Sequence, residues 1–322
     1  MPSPARPNCL TIWNSSASKA AQAADVRRHL ADQVQGDVVE PKSEQETADI
    51  LERHLERGLD RLIVAGGDGT INSVVNTLAA HPHPPALGLL PLGTANDLCC
   101  SLGIPDDPLA ALQLAVQGEP QPLDVIEVRS AQGSRYYANM ATGGNSARVT
   151  ESLTDDLKKR WGPLCYLRGA IGVLADLDVF EAEVTFDAGP AQTLSIWNIL
   201  IANGRTCGGR VNVAPRARVN DGLMDVILVQ DGTVADMAQM AAALLTGDYL
   251  DQEQVVFRQV KQLEIRSRPE MFFTLDGELL ESVVHSFAVH AGRLQVPMTP
   301  AEDKPSLLEG ILDRDSVFAP EE

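Results

Sequence analysis

The chain has 322 residues, 44% of them apolar, so it can build a large core, and its length favours two domains over one. A formal charge of −18 argues against a nucleic-acid partner, since phosphate-backbone affinity comes from Lys and Arg, and it disfavours simple adsorption to anionic bilayers. The five cysteines (Cys9, Cys99, Cys100, Cys165, Cys207) are odd in number and show no C-x-x-C spacing. No apolar leader precedes them, and no run nears the roughly 20 apolar residues that cross a bilayer. The expected setting is a reducing cytoplasm, with any lipid met from the water side.

Leu10 to Trp13 reads as a strand, Asn14 to Ser18 as a polar turn and Lys19 to about Val34 as a helix. Ala48 to Arg57 has helical spacing, and Arg61 to Ala65 is a short, almost continuously apolar run, the pattern of a strand buried on both faces of a parallel sheet. After Gly66-Gly67-Asp68-Gly69-Thr70, helical periodicity resumes from Ile71 to Ala80 and is broken by His81-Pro82-His83-Pro84-Pro85. Leu87 to Pro91 and Ala95 to Leu102 repeat the strand and helix. This alternation predicts a parallel sheet covered by helices, with ligand sites at the strands' carboxyl ends.

Past Asp124, short β-rich segments take over: Val125 to Arg129, Tyr136 to Met140, Glu181 to Phe186, Leu194 to Ala202, Met224 to Val229, Gln262 to Arg266, Met271 to Leu275 and Val283 to His290. They predict an antiparallel β domain, interrupted by one helix from Thr233 to Leu245. The boundary falls near residues 127–133, giving units 1–130 and 131–300. An acidic, Pro-containing tail beginning near Pro297 fills 301–322, and its end is expected to be disordered. Two basic clusters, Lys158, Lys159, Arg160 and Arg168, and Arg205, Arg210, Arg216 and Arg218, read first as solvated surface. The first is the group expected to face an anionic bilayer if the chain meets one.

The Gly66 to Thr70 turn joins a buried strand to a helix start, where backbone N–H groups and the helix dipole receive polyanions. Asp68 there either handles a bound cation or fixes the loop through hydrogen bonds, and an ordinary Asp-Gly turn is the plain alternative. Neither G-x-x-x-x-G-K-[ST] nor G-x-G-x-x-G occurs in this region, which excludes a Walker loop and the standard dinucleotide fingerprint. A second turn of the same design, Leu90 to Asp97, offers Gly93 and Thr94, although Thr94 or Asn96 taken alone would be an N-cap. Asn220-Asp221-Gly222-Leu223-Met224-Asp225 and Leu275-Asp276-Gly277-Glu278 read as turns between strands. A carboxylate immediately after such a turn, as Glu278 is, can project into a cleft and there accept a proton from an attacking hydroxyl.

GGDGTINSVVNTL followed by ALGLLPLGTANDL resembles the nucleotide-binding signature of the diacylglycerol kinase catalytic domain, and the chain as a whole resembles bacterial YegS-like lipid kinases. The likeness runs from about residue 60 to 290 through Asn139 to Gly144, Ala202 to Gly209, Ala214 to Val226 and Leu275 to Glu278. It implies an α/β plus all-β fold: an N-terminal Rossmann-like nucleotide-binding domain followed by a C-terminal β-sandwich domain, with catalysis between them. It further implies ATP and Mg2+ as cofactors and a lipid hydroxyl as acceptor, reached by transient peripheral contact with a membrane. On this resemblance Gly66, Gly67, Asp68, Gly69, Thr70, Ile71 and Asn72 cradle the ATP phosphates, and Thr94 and Asn14 add contacts. Glu278 takes the position of the catalytic base, and Asp68 and Asp97 match acidic residues associated with the catalytic Mg2+. Asp221, with the Arg218 and Leu223 carbonyls, matches a second, structural metal site.

Two departures stand out. Relatives carry Thr near Val39-Glu40-Pro41-Lys42-Ser43, where Ser43 is the available substitute, and an aromatic residue and glycine where this chain has Asn145-Ser146-Ala147. The rival readings are a kinase of NAD or another soluble metabolite and a nucleotide-binding regulator without turnover. The carboxylates of Asp68, Asp97, Asp221 and Glu278 are all present.

Overall fold

The computed structural model describes residues 8–20, 24–145, 177–233, 235–236, 239–240, 243–244 and 249–299. Cys165, the Lys158 to Arg168 cluster and the 301–322 tail lie outside the described residues, as does part of the helix expected from Thr233 to Leu245.

The N-terminal half alternates as its sequence does: β1 (Asn8–Trp13), α1 (Ala24–Gln33), β2 (Gln35–Val39), α2 (Glu44–Leu55), β3 (Arg61–Gly66), α3 (Asp68–Ala80), β4 (Ala86–Pro91), α4 (Asp97–Ser101) and α5 (Pro108–Gln117). The four strands form a parallel sheet in the order β2-β1-β3-β4. Leu62, Ile63, Val64, Ala65, Leu87, Leu89 and Leu90 are buried, as strands covered on both faces require. Ser43 is the N-cap of α2, accepting the Glu46 N–H at 3.1 Å. The unanticipated α5 has a legible signature nonetheless: an Asp107 N-cap, Pro108 in the first turn and Gly118 at the C-cap. The helix expected from Lys19 is described only from Ala24, with Asn14 to Ala20 forming turns.

The rest is antiparallel: β5 (Pro120–Ser130), β6 (Gly133–Tyr137), β7 (Met140–Gly144), β8 (Phe180–Phe186), β9 (Gln192–Ala202), β10 (Thr206–Cys207), β11 (Val211–Asn212), β12 (Met224–Gln230), β13 (Val255–Val260), β14 (Gln262–Arg268), β15 (Phe273–Leu275), β16 (Glu278–Leu280) and β17 (Val284–Pro297). The main sheet runs β16-β15-β7-β9-β8-β14-β17-β5-β6, with β12 pairing β9 and β13, in a sandwich-like arrangement. One core lies on the face carrying Ile199, Ile201, Phe273 and Phe287, and a smaller one lies around Met140, Ala202, Ile227 and Tyr249.

The two halves interlock through the long β5 and β17 ribbon. Val128 and Phe287 belong to the sandwich core, whereas Leu123, Val125, Leu294 and Val296 belong to the core of the parallel-sheet domain. Helix α3 is fastened to the same region. Asn76 Oδ1 accepts the Tyr136 N–H at 2.8 Å, and Arg293 Nε donates to the Ala79 carbonyl at 2.9 Å in the helix's last turn. The site between the domains therefore rests on covalent crossings and packed strands.

Candidate active site

Where β3 ends, α3 begins at once. Gly67 is the N-cap, so Asp68, Gly69 and Thr70 form the first helical turn and the helix starts three residues before its apolar periodicity does. A glycine cap makes no side-chain hydrogen bond, which leaves first-turn N–H groups and the positive end of the helix dipole for an anion. Side chains are excluded where the backbone must be approached. A Cβ on Gly66 would lie 2.7 Å from Thr70 Cβ, and one on Gly93 would lie 2.6 Å from Gly67 Cα, so the two glycine turns touch. Asn14 Nδ2 donates to Thr70 Oγ1 at 2.8 Å, tying the first strand's exit to this turn. Thr94 is exposed and donates to Ser18 Oγ at 3.3 Å. The Ile71 side chain is in the core and its N–H donates to the Gly67 carbonyl, so it faces no ligand.

Of the two roles open to Asp68, the hydrogen-bonding one is visible. Its Oδ1 accepts the Asp97 N–H and its Oδ2 the Asn96 N–H, both at 2.8 Å, and this locks the second turn onto the first. Asn96 is fully buried in a left-handed conformation (φ 54°), which Asn tolerates better than most residues, and its amide closes on both the N–H and the carbonyl of Gly93 at 2.9 Å. Asp97 reaches the other domain: its Oδ1 accepts the Arg210 N–H at 2.6 Å and its Oδ2 the Gly209 N–H at 3.2 Å. Burial raises its carboxyl above the usual carboxylate range, while those N–H donors pull the other way. Both acids expected near a catalytic metal thus build the scaffold, one within a domain and one across the interface.

Glu278 arrives from the sandwich on a two-residue hairpin. Leu275 pairs with Glu278, and Asp276 (φ 48°) and Gly277 (φ 90°) make the turn, both with the positive φ that Asp-Gly hairpins supply. The Asp276 carboxylate fixes the hairpin to the start of β7, accepting N–H bonds from Ala138 (3.3 Å), Asn139 (3.2 Å) and Met140 (2.7 Å). Burial nevertheless pushes its carboxyl up to about 7. Glu278 itself is half-buried beside α3: Asn72 Nδ2 donates to its Oε2 at 3.1 Å, and a Cβ on Gly69 would lie 3.3 Å from its Oε1. Its carboxyl is raised, first by desolvation and then by the charge of Glu44; Arg135 and Asn72 oppose the rise. The expected base and the expected phosphate turn are brought together by contacts between the two domains.

At the Asn220 to Asp225 turn, Asp221 Oδ1 accepts the Leu223 N–H at 3.0 Å. Two buried carboxylates feel its charge. Asp124 accepts the Gly222 and Gly292 N–H groups, both at 2.6 Å, and Asp225 is raised to about 6, chiefly by burial. Asp225 Oδ2 has no hydrogen-bond partner among the described residues, and no three His, Cys, Asp or Glu side chains there converge as a metal-ligand set. In the second basic cluster, Arg205 Nε donates to the Ala217 carbonyl at 3.0 Å, Arg210 pairs with Asp106, and Arg216 pairs with Asp251 at 2.8 Å.

Sequence reasoning missed the polar staples that hold this interface. Buried Ser101 donates to Asn139 Oδ1 at 3.0 Å and accepts the Arg205 N–H at 3.0 Å; Asn203 Nδ2 donates to the carbonyls of Asp124 (2.9 Å) and Ala138 (2.7 Å). The available signal was the placement of Asn139 and Asn203 beside the glycine-containing motifs. Gly204 is obligatory, because a Cβ there would lie 2.0 Å from Asn139 Oδ1.

Glycine-lined turns at a helix N-terminus, with a carboxylate delivered to them from a separate β domain, form the arrangement that phosphoryl transfer calls for. Known proteins narrow that class. Residues 8–128 match the diacylglycerol kinase catalytic domain, and residues 139–298 match the YegS C-terminal NAD kinase beta sandwich-like domain. The chain is 32% identical over 223 residues to the diacylglycerol kinase of Bacillus subtilis (strain 168), covering 69% of this chain and 72% of that protein. It is 38% identical over 248 residues to the Pseudomonas aeruginosa PAO1 protein named "Probable lipid kinase YegS-like", covering 77% and 79%. The crystal structure of a diacylglycerol kinase from Bacillus anthracis str. Sterne superposes with a TM-score of 0.76 over 92% of this chain and 99% of that one, at 21% identity, a likeness of fold. The chain belongs to the diacylglycerol kinase family, with the YegS-like lipid kinases.

Proposed function

We propose that this lipid-kinase family member transfers the γ-phosphoryl group of ATP to a hydroxyl of a membrane lipid, a diacylglycerol, phosphatidylglycerol or related acceptor. The observation that carries the reading is Glu278: a carboxylate of the second domain stands against the first turns of α3. Phosphates seat on the first-turn N–H groups of α3, beside the point where the Gly67 and Gly93 turns touch, with Thr70, Thr94 and Asn14 at the rim. The acceptor oxygen attacks the γ-phosphorus, the bond to the bridging oxygen breaks, ADP leaves, and Glu278 takes the hydroxyl proton. The raised carboxyl of Glu278 suits a base that must also release its proton.

Mg2+ would supply charge neutralisation for the phosphates. Asp68 fits the one-carboxylate mode that leaves the remaining positions to phosphate and water, since each of its oxygens accepts one N–H and keeps further accepting capacity. A second cation at the Asn220 to Asp225 turn would be held by Asp221 and the Arg218 and Leu223 carbonyls. The orphaned Asp225 Oδ2 and the repulsion that Asp221 exerts on Asp124 and on Asp225 support a positive charge there. No helix among the described residues is long and apolar enough to cross a membrane. On the proposed reading the acceptor is met at the bilayer surface.

The test incubates the full chain with γ-labelled ATP and Mg2+, offering phosphatidylcholine vesicles that carry dioleoylglycerol or phosphatidylglycerol, and separately NAD. Label in a lipid, lost with Glu278→Gln, is the expected result. Label in NAD and in neither lipid would replace the reading with a soluble-metabolite kinase.

A further inference from the structure

Glu278 is held asymmetrically. Both side chains that engage it approach Oε2: Asn72 Nδ2 at 3.1 Å from α3, and the Arg135 guanidinium at 3.9 Å from β6. Its other oxygen, Oε1, faces the phosphate turn, where the absent side chain of Gly69 leaves it room. Asn72 is buried and also donates to the Leu275 carbonyl at 3.4 Å, one residue before the Asp276-Gly277 turn, so it grips the hairpin at its backbone and at its carboxylate. Its amide donor is committed to the second domain. Its Oδ1 accepts no hydrogen bond among the described residues, so neither end of the amide is turned toward the helix N-terminus by a visible partner.

We infer that Asn72 is a positioning residue for Glu278 rather than a phosphate ligand: with Arg135 it pins Oε2 and leaves Oε1 as the oxygen that takes the acceptor's proton. This rests on the reading of Glu278 as the base. The physical argument has two parts. A carboxylate with one oxygen anchored by a donor has lost the rotation that would carry its free lone pairs away from the reacting hydroxyl, and effective base catalysis demands that geometry first. The Asn72 hydrogen bond and the nearby Arg135 charge at the same oxygen also favour the ionised form, against the burial and the Glu44 charge that oppose it. The charged groups acting on Glu278 are Glu44 of α2 and Arg135 of β6; Asn72 of α3 is the neutral one. Anchoring from α3 further means that the base is set only when the domains are in register, since the helix that offers its N-terminus to phosphate is the helix that holds the base.

The experiment uses Asn72→Asp, which keeps the shape but turns the donor into a like charge, and Arg135→Gln, an exposed change that leaves the fold intact should Asn72→Asp fail to fold. Equilibrium ATP affinity and the single-turnover rate of lipid phosphorylation are followed from acid to alkaline pH. For Asn72→Asp the expected result is a rate loss of about 10² or more near neutrality, within the range that losing a base produces. ATP affinity should stay within about threefold, and the acid limb of the rate profile should move to higher pH by about one unit or more, since a like charge disfavours ionisation. Arg135→Gln should move the limb in the same direction with a loss of about three- to tenfold. A drop in ATP affinity of about tenfold with an unmoved limb would return Asn72 to the phosphate cradle and overturn the inference; so would unchanged kinetics in both variants. If Glu278→Gln alone retains the wild-type single-turnover rate, it is the base assignment that falls, and the two failures are thereby distinguished.

Discussion

Asp97→Asn should weaken the joint between the domains measurably. The carboxylate accepts the Arg210 N–H at 2.6 Å and the Gly209 N–H at 3.2 Å, and an amide of the same size can accept only one of them while its NH2 confronts the other. One stranded donor costs about 1–3 kcal/mol. Part of that is returned because the site no longer buries a charge, so the net loss at neutral pH is about 1–2 kcal/mol. With a urea slope on the order of 3 kcal/mol/M, the unfolding midpoint falls by roughly half a molar. Asp106→Ala is the control. It removes the bidentate partner of the Arg210 guanidinium, a partly exposed pair that contributes about 1 kcal/mol or less. The pH dependence has a definite sign. Burial raises the folded carboxyl above its ordinary value, so between those two values the folded chain keeps a proton that the unfolded chain has released. The contribution of Asp97 to stability is greatest below that window and declines as pH rises through it, and the penalty of Asp97→Asn should shrink in the same direction. A midpoint for Asp97→Asn equal to that of Asp106→Ala would refute the brace, and a penalty independent of pH would refute the raised carboxyl.

Ser101→Ala strands Asn139 Oδ1 and the Arg205 N–H and should cost about 2–3 kcal/mol, read as a lowered thermal midpoint; a change under about 0.5 kcal/mol would show the staple to be dispensable. Gly93→Ala drives a Cβ to 2.6 Å from Gly67 Cα, so a folded variant should bind ATP at least about tenfold more weakly by calorimetry, and wild-type affinity would mean the two turns need not touch. Asp221→Ala should abolish the rise in melting temperature that Mg2+ gives over chelator; an equal rise in both proteins would remove the second cation from this turn.

The parallel-sheet half was legible because one principle governs it. Runs such as Leu62 to Ala65 are apolar on both faces only if helices cover both faces, and the turns at their carboxyl ends then fall where ligands bind. The Asp-Gly hairpin before Glu278 was equally legible, since few residue pairs accept positive φ at both positions. Less visible was β13, whose partner β12 is remote in the chain and is chosen by packing.

Side-chain roles were the least legible, and Asp68, Asp97 and Asn72 show why. A carboxylate in a phosphate loop reads as a cation ligand because its charge is conspicuous, yet its nearest donors are often backbone N–H groups that no sequence pattern displays. Asp68 takes the N–H groups of Asn96 and Asp97, and Asp97 takes those of Gly209 and Arg210, so the chain of contacts runs from the first glycine turn to the second and on into the sandwich. Asn72 closes the circuit from the opposite side, reaching from α3 to Glu278. The proposed phosphate seat and the proposed base are carried by different domains, and a displacement of about 1 Å between them would cost reactivity on the order of 10²-fold. The buried polar groups around the seat are therefore best understood as what keeps the two domains in register, with any cation added to a frame that the chain's own hydrogen bonds have already set.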